Sequence, residues 1–225
     1  MPSLRDRAVV TLLCGALGAL LIATVVQLPT DPAGLTRLVE DQLRHTGVTS
    51  AVTAVLLDFR AYDTFLEVGV LLVAVFGALV IRRSVELRGL VGQRESDPIL
   101  TAMMWLIVPI MVLTSGYVLS LGTHAHGGAF QAGAIVAAAA ILVLLAGGRS
   151  VTGLSTRALV ALSASGFVAF LVLAWALLID GRRLLDLPLS SAALLTVLIE
   201  IAVAIAVAVG LAGLLVIAHQ RRDDS

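Results

Sequence analysis

Asp58, Arg60, Asp63 and Glu67 fall within ten positions, in the run LLDFRAYDTFLEV, and lead straight into residues 68 to 81, which carry no charge. Charged groups are costly beside an apolar membrane segment and mark candidate ion or proton routes there. Asp63 and Glu67 are four apart, a spacing that puts both carboxylates on one face of a helix, where a pair can relay a proton. The same residues also have a local explanation. TFLE has the pattern of a capping box: Thr64 caps a helix, and Glu67 at its third position bonds back to the backbone at the positive end of the helix dipole. Asp58 and Arg60 then form an interfacial ion pair. Cap and ion path both stand on the local sequence.

Glu200 is the second candidate. It lies about ten residues, or ~15 Å of helical rise, into the predicted helix over 190 to 218, part of the otherwise charge-free stretch 187 to 218, too deep for a cap to explain. A carboxylate at such depth in a bilayer is protonated, paired with a basic side chain of a neighbouring helix, or turned toward a wet cavity. Each arrangement suits proton or cation handling. A glutamate that only bridges two helices by a hydrogen bond is the structural alternative.

The third group is GTHAHGGAFQAG, residues 122 to 133. Two histidines, His124 and His126, without a neighbouring cysteine or carboxylate fall short of a metal-ligand set, and no metal site is expected. The segment reads better as a glycine-rich turn between two helices. Gly127 and Gly128 let the chain reverse, Gly133 allows close helix packing, and Gln131 places an amide in the first turn of the next helix. His45 and His219 read as solvated.

The elements that must hold these residues follow from composition. The 225 residues are 59% hydrophobic and 13% charged, against about 25% charged in ordinary soluble domains. Stretches without Asp, Glu, Lys, Arg or His recur at 8 to 30, 68 to 81, 98 to 123, 127 to 148 and 158 to 179, and at 187 to 218 apart from Glu200. A spanning helix needs about 20 mostly apolar residues, so six fit: 8 to 28, 65 to 82, 98 to 121, 128 to 147, 158 to 179 and 190 to 218. These stretches lack the apolar/polar alternation of a β-barrel. The predicted fold class is therefore all-α, a polytopic membrane helical bundle.

The first helix is too long for a signal h-region and lacks a small-x-small cleavage site, so it reads as a signal anchor. Cys14, the single cysteine, excludes an intrachain disulfide. All fifteen Lys/Arg positions are arginine. With a cytoplasmic N-terminus, ten fall on that side (Arg5, Arg7, Arg82, Arg83, Arg88, Arg94, Arg149, Arg157, Arg221, Arg222) and five opposite (Arg37, Arg44, Arg60, Arg182, Arg183). Both termini are expected inside. The net charge of zero offers no basic tail for nucleic acid.

RRSVELRGLVGQRESDP, residues 82 to 98, is the longest strongly charged segment and reads as a cytoplasmic connector, with Pro98 opening the third helix. It separates a two-helix part, residues 1–92, from a four-helix part, residues 93–225. A loop over 29 to 50 carries Pro29, Pro32, Gly34 and Gly47 and leads to VTSAVTAVLL, which is too short to span and suits a half-buried or re-entrant segment. LLDFR at 56 has a faint echo in LIDGR at 178, at unequal distances from the following glutamate. The chain has no nucleotide loop, dinucleotide fingerprint, cysteine cluster or activated nucleophile. No cofactor and no catalysis by the chain itself are expected.

VTAVLLDFRAYDTFLEVGVLLVAVFG resembles the C-terminal part of the large A-type chain of Mrp-type multisubunit cation/proton antiporters and the small E-type chain of membrane-bound hydrogenases. The family pattern Asp-Phe-Arg-Gly-x-Asp-Thr followed by Glu is met by Asp58, Phe59, Arg60, Asp63, Thr64 and Glu67, with Ala61 in place of the glycine. ILTAMMWLIVPIMVLTSGYVLSLGTHAHGGAFQAGAIVAAAAILVLLAG is similar to the B-type chain of the same antiporters. Of the turn in that family, usually Gly-His-Asn-x-Pro-Gly-Gly-Gly-Phe-x-Gly-Gly, His124, Gly127, Gly128, Phe130, Gln131 and Gly133 remain, while the proline is absent and Ala129 replaces a glycine. The sequence thus looks like a fusion of the two pieces.

The resemblance implies an accessory subunit of a large complex in the cell membrane of a bacterium or archaeon. Its partners would be antiporter-like membrane subunits, and its ions Na⁺ and H⁺. It also brings cap and ion path together, since Glu67 can serve both. The chain has no lysine and no long broken-helix repeat, so it is not expected to be a complete pump. Three functions remain open. One is an antiporter subunit with Asp58, Asp63, Glu67 and Glu200 lining the path. Another is a membrane-arm subunit of a redox-driven ion pump, and the third is a structural scaffold.

Overall fold

Long runs of Ala, Leu, Val and Ile leave a backbone in lipid no water to bond, so its polar groups must be satisfied within the segment, as in a helix. The computed structural model describes residues 4–27, 35–84, 98–125, 127–146, 154–182, 185 and 187–219, with side chains described over 12–27, 36–81, 98–125, 127–146, 154–182, 185 and 187–215. Every regular element among the described residues is helical. In order they are α1 (Leu4–Val26), α2 (Leu35–Leu43), α3 (Ala51–Ala54), a π turn (Val55–Phe59), α4 (Ala61–Ser84), α5 (Pro98–Leu121), α6 (Ala129–Leu145), α7 (Thr156–Ile179) and α8 (Ala192–His219).

Among the described residues, α4, α5, α7 and α8 are long and apolar enough to cross a membrane, over Ala61–Ile81, Pro98–Leu121, Thr156–Ile179 and Ala192–Leu215. Leu12–Val26 of α1 and Ala129–Leu145 of α6 are shorter apolar helices. The six apolar runs thus become six helices, four of full spanning length, and the chain is a polytopic membrane helical bundle. Residues 85–97 of the connector, His126 and the Pro29, Pro32 and Gly34 part of the long loop lie outside the described residues.

The chain forms two units, Met1–Leu38 and Val39–Ser225. In the first, α1 is apolar from Leu12 onward, and Thr24 returns its hydroxyl to the Leu20 carbonyl at 2.8 Å. In the second, α8 is the central helix, with α4, α6 and α7 packed on it and α5 packed mainly on α6.

Small residues make that packing possible, as helices in lipid associate by close approach rather than by a hydrophobic drive. A Cβ on Gly133 of α6 would meet the Ala204 carbonyl at 2.7 Å and Val207 at 2.8 Å on α8. One on Gly166 of α7 would meet the backbone of Val203 and the side chain of Val68, each at 3.1 Å. Hydroxyls add directional ties: Ser165 donates to the Ala202 carbonyl at 3.0 Å, and Ser115 to that of Ala132 at 2.9 Å. Phe65 of α4 stacks on Phe167 of α7, ring centres 4.6 Å apart, beside the fully buried Phe170. By contrast α5 buries only Ser115, and Trp105, Leu106 and Leu113 stand exposed along it. The second unit therefore holds its core around α8 and leaves a broad apolar exterior.

Candidate functional site

The apolar run before α4 is the re-entrant-like segment, and its hydroxyls decide how it is held. Ser50 caps α3 by accepting from the Thr53 amide at 3.3 Å. After one α turn the helix widens into the π turn, closed by the Arg60 amide on the Val55 carbonyl at 2.8 Å. Arg60, at φ −130° and ψ 36°, breaks the helix, and α4 starts at Ala61. π turns of this kind occur often at functional sites.

This start overturns the capping-box expectation. Thr64 lies inside α4, three residues past its first, so it is not a cap. Its buried hydroxyl reaches back across the break to donate to the Leu56 carbonyl at 2.6 Å. The wide π turn and the kink at Arg60 have already redirected the chain upstream, and a carbonyl of that turn needs a donor. The ion pair at this end joins Arg60 to Asp63, with side chains 68% and 46% exposed. Asp58 is half-buried on the π turn. Glu67 stands on the exposed side of α4.

The glycine-rich turn is the anchor for the same segment. The Thr123 carbonyl accepts the amides of Thr49 and Ser50, at 3.2 and 3.1 Å, and the Thr49 hydroxyl at 3.2 Å. The Ser50 hydroxyl donates to the Ala125 carbonyl at 3.2 Å, and that of Thr53 to the Gly122 carbonyl. Two stretches more than 65 residues apart in the chain (|i−j| of 69 to 75) are thereby clamped together. Gly128 adopts φ +147°, a conformation natural to glycine, while a side chain on Gly127 would run into the Val118 carbonyl and Leu121. His124 is exposed, its Nδ1 2.6 Å from the Thr123 hydroxyl. No group of three or more potential metal ligands exists among the described residues.

Above this clamp lies Glu200. It sits eight residues after Ala192, about 12 Å along α8, and is only 5% exposed. Its carboxylate rests on the turn: a Cβ on Gly122 would come within 2.5 Å of both carboxylate oxygens. It lines a cavity of about 30 Å³ together with Thr53, Leu57, Thr64, Gly128 and Gln131, room for on the order of one or two water molecules. Among the described residues no hydrogen bond or ion pair engages the carboxylate.

The structure therefore unites Glu200, Thr64, Gly127, Gly128, Phe130 and Gln131 around one cavity. It leaves Asp63 and Glu67 on other faces, outside the lining. Gly133 serves helix packing one turn along. Sequence reasoning missed Thr53 and Gly122. The signal for the first was a hydroxyl recurring in the apolar run VTSAVTAV, and for the second a glycine that ends a spanning helix. Chemically, the cavity offers one unengaged carboxylate and a few oxygen dipoles. That set can hold a proton or a single positive charge.

Residues 99–218, more than half of the chain, match the model of a domain related to the MnhB subunit of Na⁺/H⁺ antiporter. The chain belongs to this family. The MnhB-related region holds α5 to α8, and with them the glycine turn and Glu200. An uncharacterised protein of Methanocaldococcus jannaschii is 35% identical over 152 residues, 60% of this chain and 58% of the relative. The chain thus spans well under two thirds of that relative's length.

Two solved structures share the fold. One is the Mrp complex from Dietzia sp. DQ12-45-1b, with a TM-score of 0.70 and 23% identity, covering 100% of this chain and 27% of the other. The second is the membrane-bound sulfane sulfur reductase, an archaeal respiratory membrane complex, with a TM-score of 0.65 and 22% identity, covering 94% of this chain and 97% of that one. The MnhB-related chain therefore has a fold that is also present in these two membrane complexes.

Proposed function

We propose that this MnhB-related chain is an accessory membrane subunit of a multisubunit monovalent cation/proton antiporter, and that it helps to form the Na⁺/H⁺ translocation path. The observation that carries this reading is the family match over residues 99–218, because that region contains the one deeply buried carboxylate among the described residues, Glu200. The chain works with other antiporter-like membrane subunits and is not catalytic alone. Residues 1–92 act as the part that resembles the A-type chain and residues 93–225 as the part that resembles the B-type chain. The likeness of the whole chain to a stretch of a single longer chain in the Mrp complex supports that joining. Both termini face the cytoplasm of a bacterial or archaeal cell, in keeping with the arginine count. Asp58, Arg60, Asp63 and Glu67 line the route at one end of α4, and Glu200 holds its interior.

A second reading draws on the near-complete mutual coverage with a chain of the sulfane sulfur reductase. In it the same polypeptide is part of a redox-driven ion pump whose electron chemistry resides in partner chains. The two are separated by purifying the tagged chain from its native membrane in mild detergent and identifying what accompanies it, with cation-dependent proton movement measured in everted vesicles. Antiporter-like subunits alone, with Na⁺-dependent proton movement, support the first reading. Iron-sulfur partners support the second. Recovery of the chain without partners overturns both.

A further inference from the structure

Glu200 combines three features that packing alone does not require. It is only 5% exposed, its carboxylate engages no described donor, and it opens on a cavity. A purely structural glutamate would instead use the depth of α8 to bond a neighbouring helix.

Glycines of the turn make room for the carboxylate and for the cavity beside it. Gly122 has no Cβ where one would sit 2.5 Å from both carboxylate oxygens. Gly128 likewise leaves open a point that lies 3.3 Å from the Gln131 side-chain oxygen and 3.7 Å from Glu200 Oε1. Two oxygens of different chemistry, a carboxylate and an amide, therefore lie near the Gly128 backbone beside the cavity. Gln131 is exposed and connects the cavity to the surface of the chain.

We infer that Glu200, the Gln131 amide oxygen and the space left by Gly122 and Gly128 form a single exchange site, occupied either by a partly dehydrated monovalent cation or by a proton. This deepens the antiporter reading and rests on it. One carboxylate neutralises one positive charge. A divalent ion would leave an uncompensated charge in a low-dielectric surrounding, which is costly. No second acid lines the cavity among the described residues. Oxygen donors suit hard ions and exclude soft metals. The proton and the cation use the same lone pairs, so each displaces the other, which is the least an exchanger needs.

Other charged groups of the surrounding elements lie outside the lining: Asp58 on the π turn, Arg60 at the break after it, Asp63 and Glu67 on α4, His124 on the turn, and Arg157 and Asp180 at the ends of α7. α5, α6 and α8 contribute no charged residue between their ends other than Glu200 itself. His126 lies outside the described residues, so the measurement is repeated in a His126→Ala background.

The test uses the assembled complex in proteoliposomes, with Na⁺, Li⁺ and K⁺ salts as probes, and reads cation-driven proton movement against pH. Infrared difference spectra on cation addition supply a second readout. In the wild type the apparent cation constant should rise as pH falls, and cation addition should convert one protonated carboxyl to carboxylate. Glu200→Gln should abolish that infrared change and lower exchange at least about tenfold, and Glu200→Asp should restore part of it. Gln131→Ala, on an exposed position, should raise the cation constant about tenfold, the equivalent of one lost charge–dipole contact.

An infrared signal that survives in Glu200→Gln, or exchange at the wild-type rate, overturns the site. If Glu200→Gln does not assemble, Gln131→Ala decides, and an unchanged cation constant overturns it. A wild-type complex that moves no protons on cation addition overturns the antiporter reading itself, a different result from an active complex indifferent to Glu200.

Discussion

Glu67 and Glu200 are both carboxylates on apolar helices, yet the fold treats them in opposite ways. Glu67 stands on the outer face of α4 beside the exposed Leu66 and Val70, whereas Glu200 is 5% exposed and lines a cavity among α6, α8 and two clamped loops. The elements around them are held differently too. The segment before α4 is secured by hydroxyl-to-carbonyl bonds onto the 122–125 turn, while α6 and α7 are secured to α8 by glycines and alanines. A charge in an apolar run thus signals function only after the environment is known. Bonds from loops can place a cavity where small-residue packing alone would leave none.

The strongest way to break this contrast acts on the packed region. Gly133→Val pushes a side chain into the Ala204 carbonyl and Val207. It should destabilise the chain by about 3 kcal/mol, seen as loss of a monodisperse peak and a lower melting temperature in detergent. A variant as stable as the wild type would mean that α6 and α8 are not held by close approach.

A smaller effect is expected on the hydrogen-bonded side. Thr64→Val keeps the volume but leaves the Leu56 carbonyl without its donor, at a cost of about 1.5 kcal/mol. It should also raise hydrogen exchange over the π turn while leaving α8 protected. Equal protection of the π turn in Thr64→Val and the wild type would show that the π turn does not depend on Thr64.

The smallest effect sharpens the comparison itself. Glu67→Leu changes an exposed position and should alter the melting of the purified chain by less than about 0.5 kcal/mol. Its consequence should fall on the complex, as reduced recovery of partner subunits. A large loss of stability in the chain alone would place Glu67 in the core after all.

Much of the framework could be read directly. The runs at 98 to 121, 128 to 147, 158 to 179 and 190 to 218 return as α5, α6, α7 and α8 within about two residues at each end, because a long apolar stretch in lipid has few options besides a helix. The start of α4 could not be read so well. Threonine followed three residues later by glutamate is a capping pattern whenever the helix begins at the threonine, but here the π turn started the redirection earlier, and Thr64 was left to bond Leu56. That choice depends on how residues 49–53 are tied to the distant turn, which no local pattern encodes.

The sequence by itself determined that this is an α-helical membrane chain, where its apolar helices run, and that Asp58, Asp63, Glu67 and Glu200 are its chemically unusual acids, because hydropathy and charge are local properties. Only the tertiary structure decided which of those acids is enclosed, that Gly122 and Gly128 make room beside it, and that Gln131 shares its cavity. Burial and convergence are properties of segments brought together from far apart in the chain, and they exist only once α4, α6 and α8 have packed.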